Sequence, residues 1–137
     1  MIRTFIDAGV LIIAARGGSV GAERASNVLK DQNREFASSI FLKLEILPKA
    51  IYNKRTAEVK LYEAYFNVVT YWATDTEQII ENAYKECAQY GLGAMDALHI
   101  SAALSVGAVE FLTYEKPEKS IFRTKSIQII SIFPESN

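Results

Sequence analysis

The sequence predicts an α/β chain, a three-layer α/β/α sandwich built around a central, mainly parallel sheet. Three observations predict it. Short β-branched and aromatic runs alternate with segments whose apolar residues recur at helical spacing. The strand-like runs are apolar throughout instead of alternating, as expected where helices cover both faces of a sheet. With 137 residues, 50% of them hydrophobic and 23% charged, the chain reads as globular and long enough to bury one core, hence a single domain over 1–137.

Each element follows from local chemistry. Thr4-Phe5-Ile6 is a short buried strand that ends at Asp7. Residues 8–15 read as a short helix closed by Gly17-Gly18, and a second helix fits roughly 20–32. The run "EFASSI" supplies a second strand before Ser39. Residues 40–54 are helical in spacing, with Phe41, Leu44, Leu47 and Ile51 apolar at helical intervals. Pro48 lies inside that pattern, so a kink there or a break just before it is expected. A helix over about 57–65 precedes a strand "FNVVTY". Thr74-Asp75-Thr76-Glu77 has the form of a capping box, and the helix it opens runs to Tyr90 and stops at Gly91. A helix carrying Asp96 in its first turn then runs to about Val106, and the strands "VEFLT" and "SIQIISI" complete the chain before Pro134.

Composition narrows the setting. A single cysteine, Cys87, excludes an internal disulfide framework and fits a reducing compartment. The apolar run Val10 to Ala15 is too short to span a bilayer, and Met1-Ile2-Arg3-Thr4 leads straight into a strand, so a cytoplasmic protein with no membrane partner is expected. A net charge of -1 gives no global basic excess. Two segments are nevertheless locally positive: five basic against two acidic residues from Lys43 to Lys60, and four against two from Glu115 to Lys125.

Four carboxylates stand beside these segments. In open parallel sheets ligands bind beyond the carboxyl ends of the strands. Asp7 falls at the end of the first strand, Glu115 just past "VEFLT", Asp96 in the helix before that strand, and Glu45 within a largely apolar helix. A parallel topology can bring all four to one edge, and a few converging carboxylates suffice for Mg²⁺ or Mn²⁺. Each residue also has a plainer role open to it. Asp7 can cap the helix at 8–15, Glu45 can pair with Lys49 at i, i+4, Asp96 can serve the helix dipole, and Glu115 can be one charge in a polar turn.

These pieces resemble a PIN domain, and more narrowly the VapC-type toxin nucleases of toxin–antitoxin pairs. The resemblance is carried by "TFIDAGVLI", "SSIFLKLEILPKA", "MDALHISAAL" and "VEFLTYEK", which together span nearly the whole chain. It places the family's four acidic positions on Asp7, Glu45, Asp96 and Glu115, and the hydroxyl residue beside the fourth acid on Thr113. It implies a Mg²⁺- or Mn²⁺-dependent endoribonuclease whose acids hold the metal. It further implies a cognate antitoxin and a homodimer as partners. Lys43, Lys49, Lys54 and Arg55 are then candidates for holding the RNA backbone electrostatically.

Two departures from the family pattern stand out. Glu115 is one methylene longer than the usual Asp, and Ala8-Gly9 offers no side chain to orient Asp7. His99, the one histidine, lies three residues after Asp96 and reads as a packed or supporting residue in preference to a ligand. Cys87 reads as buried filler, and Tyr71 and Trp72 as core or interface aromatics.

Two other classes compete. A receiver-like phosphoacceptor domain has the same size and alternation, but it requires adjacent acids after the first strand, where this chain has Asp7 alone. A non-catalytic PIN-like scaffold that binds RNA or protein is the stronger rival, because of Glu115.

Overall fold

The computed structural model describes residues 1–135. Five strands, β1 (Ile2–Ile6), β2 (Arg34–Ser39), β3 (Tyr71–Ala73), β4 (Glu110–Thr113) and β5 (Gln128–Ser131), form one sheet in the order β3-β2-β1-β4-β5, every pair parallel. Six helices connect them: α1 (Ala8–Arg16), α2 (Val20–Leu29), α3 (Ile40–Tyr52), α4 (Thr56–Val68), α5 (Thr76–Tyr90) and α6 (Ala94–Ser105). The α/β sandwich expected from the sequence is the observed fold.

Adjacent residues of a strand point to opposite faces, and here both faces are buried. Ile6 and Leu112 enter a core with Val10, Leu11, Leu42, Ile46 and Tyr62, beneath α1, α3 and α4. Their neighbours Phe5 and Phe111 enter a second core with Ile79, Ile100 and Ala103, beneath α5 and α6. Phe5 and Phe111 stack across the β1–β4 pair at 5.3 Å between ring centroids. A sheet wrapped on both sides explains why the strands read as continuous apolar runs. At its amino-terminal edge the sheet is tied by buried Glu110, which accepts from the Thr4 hydroxyl at 2.7 Å and from Arg34 Nε at 2.8 Å.

Several expectations change in the structure. Helix α3 runs unbroken through Pro48, so the predicted break does not occur. Pro48 removes one hydrogen bond, to the carbonyl of Leu44, and Leu44 is exposed, so the orphaned carbonyl lies on the side of the helix open to solvent. The buried face of α3 is Leu42, Ile46, Leu47 and Ala50, whereas Leu44 and Ile51 of the predicted stripe are 67% and 56% exposed. This helix is apolar on two sides, and periodicity alone does not choose between them.

The expected strand over 66–71 is displaced. Phe66 to Val68 continue α4, and β3 is the three residues Tyr71–Ala73. Asp75, not Thr74, caps α5, its carboxylate accepting from the backbone of Gln78 at 3.2 Å. Gly91 ends α5 in the left-handed conformation at φ 68°, as a glycine at that position should. Among the described residues no helix is long and apolar enough to cross a membrane.

Candidate metal centre

The strand order reverses direction at β1. The chain builds outward from β1 through β2 to β3, then returns to place β4 on β1's other side. Such a switch point leaves a crevice beyond the carboxyl ends of the two central strands. Asp7 follows β1 directly, and Thr113 is the last residue of β4.

Asp7 caps α1 and is only 8% exposed. One carboxylate oxygen, Oδ1, accepts from the Ala8 N–H at 2.8 Å; the other, Oδ2, accepts from the Thr113 hydroxyl at 3.0 Å. The same hydroxyl oxygen accepts from the Glu115 N–H at 3.2 Å, which turns its hydrogen toward Asp7. Backbone and Thr113 thus orient Asp7 without help from the side chains at 8 and 9. Burial, with a smaller push from Asp96, lifts the Asp7 carboxyl to about 6 against the opposing pull of His99, the Ala8 N–H and Thr113.

Glu45 projects from the second turn of α3 toward α6. Its Oε2 meets His99 Nε2 at 2.9 Å, a pair of side chains 54 residues apart in sequence. That contact takes the place of the possible i, i+4 pair with Lys49, which is absent among the described residues. His99 is 1% exposed and packs near the Phe5 ring, and its Nδ1 has no hydrogen-bond partner. Burial by itself lowers the pKa of His99. The hydrogen bond to Glu45 and the charges of Asp7, Glu45 and Asp96 more than reverse that, so the net shift is upward.

Asp96 stands in the first turn of α6, half-buried. Burial raises its pKa, Glu115 and Glu45 raise it further, and His99 lowers it. Glu115 lies on the exposed loop after β4, its backbone held by Thr113. The structure therefore gathers all four predicted acids into one electrostatic neighbourhood at the sheet edge. The tightest set is Asp7, Glu45 and His99, whose ligand atoms all lie within 4.8 Å of one another.

A histidine at the centre of this set was visible in the sequence only as an i+3 neighbour of Asp96. Its contact with Glu45 depends on how α3 and α6 pack. Packed as expected, His99 also touches an acid of the centre.

The donor set fits a hard divalent cation. Asp7 and Glu45 bring carboxylate oxygens within 4.8 Å of each other and of His99, Asp96 adds its charge nearby, and among the described residues no Lys or Arg pairs with any of the four acids. His99 is the one basic side chain facing these acids among the described residues; clustered negative charge in such a crevice is costly, and oxygen donors suit Mg²⁺ or Mn²⁺.

The four basic candidates separate in space. Lys49 and Arg55 line a cleft of about 280 Å³ that opens beside Glu45, and Arg16 joins them there. Lys43 sits on another side of α3, its Nζ 5.8 Å from the centroid of Phe66. Lys54 occupies the turn after α3 at φ 55°. Arg16 was not among the residues singled out from the sequence, and nothing in its local pattern marks it.

The profile of the PIN domain family matches residues 4–117. No curated protein sequence matches the chain. Several solved structures share its fold. VapBC2 from Rickettsia felis, bound to a DNA fragment from its promoter, superposes with a TM-score of 0.70 at 15% identity, covering 95% of this chain and 98% of that one. A toxin–antitoxin complex from Klebsiella pneumoniae gives 0.69 at 17% identity, covering 94% and 97%. VapBC-1 from nontypeable Haemophilus influenzae gives 0.67 at 20% identity, covering 97% and 100%. With the family profile spanning most of its length and a parallel five-stranded sheet shared with these neighbours' fold, the chain belongs to the PIN domain family.

Proposed function

We propose that the protein is a Mg²⁺- or Mn²⁺-dependent endoribonuclease that hydrolyses RNA phosphodiester bonds, acting as the toxin of a type II toxin–antitoxin pair. The observation that supports this reading is the cluster of Asp7, Glu45 and His99 at one sheet edge, with Asp96 and Glu115 acting on it electrostatically and no Lys or Arg paired to these acids among the described residues. The structural neighbours, solved as toxin–antitoxin complexes, support the biological setting.

In this reading Asp7, Glu45, Asp96 and Glu115 hold the metal. A divalent cation held there would supply Lewis-acid chemistry, polarisation of a phosphodiester and a lowered pKa for an attacking water. Thr113 and the Ala8 N–H fix the Asp7 carboxylate, and His99 fixes Glu45. Burial of Asp7 and Asp96 keeps bulk water from screening the charges that face the substrate. The proposed partners are RNA, an antitoxin protein and a second copy of the chain in the cytoplasm. The exposed apolar side chains of Ile40, Leu44, Ile51 and Tyr52 on α3 supply surface for a protein partner.

Purified wild type and Asp96→Asn, incubated with end-labelled single-stranded RNA and Mn²⁺, Mg²⁺ or EDTA, test the proposal. Cleavage by wild type alone, abolished by EDTA, is the expected result. One observation favours the scaffold reading: Glu115 is exposed and tethered only through its backbone, so the fourth acid is the loosest. Saturable Mn²⁺ binding with no cleavage of any RNA would select that alternative.

A further inference from the structure

The cleft beside Glu45 is not used by the chemistry above. It lies between α1, α3 and α4, and it shares Glu45 with the metal centre. Ile12 and Ile46 give it apolar sides, and the buried ring of Tyr62 helps close it off. Arg16, Lys49 and Arg55 line the same space. Arg55 is held by Glu58 at 3.7 Å, while Arg16 and Lys49 have no carboxylate partner among the described residues.

We propose that this cleft is a nucleotide subsite: it takes the nucleotide adjacent to the scissile phosphate of a single-stranded RNA, with Arg16 and Lys49 on that nucleotide's phosphate. The inference rests on the nuclease reading and adds to it a direction for the substrate and a residue, Arg16. Three features converge on it. An RNA strand crossing the metal centre continues into whatever space adjoins Glu45, and this cleft adjoins it. Its volume of about 280 Å³ is at the small end for a ligand site and on the scale of a single nucleotide. Apolar walls with unpaired cations beside them match the base and the phosphate of a single-stranded nucleic acid, which is held by apolar contact and charge together.

The test uses a short RNA carrying one cut site. kcat and KM are measured with Mn²⁺ for wild type, Arg16→Gln, Lys49→Gln and the surface control Lys85→Gln, and equilibrium binding is followed by fluorescence anisotropy across a salt series. Each cleft variant is expected to raise KM about tenfold, the effect of losing one charge-assisted contact, with kcat nearly unchanged. Each should also lower the salt slope of binding by about one. Replacing nucleotides one at a time by abasic ribose should raise the wild-type KM at one position next to the cut, with no added effect in Ile12→Ala. Wild-type cleavage with KM and salt slope unchanged in both cleft variants overturns the subsite alone and leaves the cleft to a side chain of a protein partner. Failure of wild type to cut any RNA overturns the nuclease reading, and the subsite falls with it.

Discussion

Asp7 carries two duties whose energetics oppose each other. As a helix cap it satisfies the Ala8 N–H, and as a buried carboxylate among other acids it resists ionisation. Its folded pKa of about 6 lies above the unfolded value of 3.8. Between those values the native state binds more protons than the unfolded chain, so metal-free stability falls as pH rises through that window. His99 acts in the same direction, because a raised histidine pKa contributes stability at low pH that is lost as pH rises through the folded value. Asp7→Asn keeps an oxygen for the Ala8 N–H and removes the charge. It is expected to stabilise the metal-free protein at pH 8 by on the order of 1–3 kcal/mol, with no gain below pH 4. Urea denaturation at the two pH values checks this. Mn²⁺ should stabilise wild type by about 2.7 kcal/mol at a hundredfold excess over its Kd, and should leave Asp7→Asn unmoved. Thr113→Val tests the other anchor: with the hydroxyl gone, Asp7 Oδ2 and the Glu115 N–H both lose their partner, and Mn²⁺ affinity measured by calorimetry should drop.

Elements carry the site as rigid units, and two local features show how closely. Helix α3 ends with the Lys54 N–H on the Ile51 carbonyl and the Arg55 N–H on the Ala50 carbonyl, a terminal motif that places Lys54 in the left-handed region. Glycine is the ordinary occupant there. Lys54→Gly is expected to raise stability by about 1 kcal/mol in a denaturant titration, with the turn that delivers Arg55 to the cleft preserved. At Gly21 the reason is space. A Cβ there would meet the Tyr114 ring, with its nearest ring carbons at 2.8 and 2.9 Å, and that ring is also packed on Phe133. Gly21→Ala should therefore cost about 1–3 kcal/mol by overpacking. It should also weaken Mn²⁺ binding, since displacing Tyr114 moves the neighbouring Glu115.

At the scale of the molecule, one parallel sheet wrapped on both faces sets the position of every acid. β1 and β4 are neighbours although 103 residues separate Asp7 from the start of β4, and their pairing register brings Ile6 opposite Leu112. Asp7 and Thr113, one residue further along each strand, then meet above the sheet edge. The outer apolar face of α3 belongs to this scale too. If a second copy packs there, Leu44→Glu is expected to convert the protein to a monomer in analytical ultracentrifugation while circular dichroism and Mn²⁺ binding stay unchanged, because Leu44 is exposed and faces away from the core.

By itself the sequence determined the layer architecture and most helix ends, and it singled out the four acids that the proposed function uses. Those are matters of local chemistry: apolar strand runs, the left-handed glycine at Gly91 and carboxylates at the ends of elements. It misplaced the third strand, since Phe66 to Val68 suit a strand by composition but pack as the last turn of α4. It also misjudged the buried face of α3, where apolar residues on both sides left the period ambiguous. Only the tertiary structure decided that Asp7 is held by Thr113, that Glu45 answers to His99 instead of Lys49, and that Arg16 shares a cleft with Lys49 and Arg55. Each of these is a contact between residues remote in the chain. Its partner is chosen by how helices settle on the sheet, which no spacing along one segment encodes.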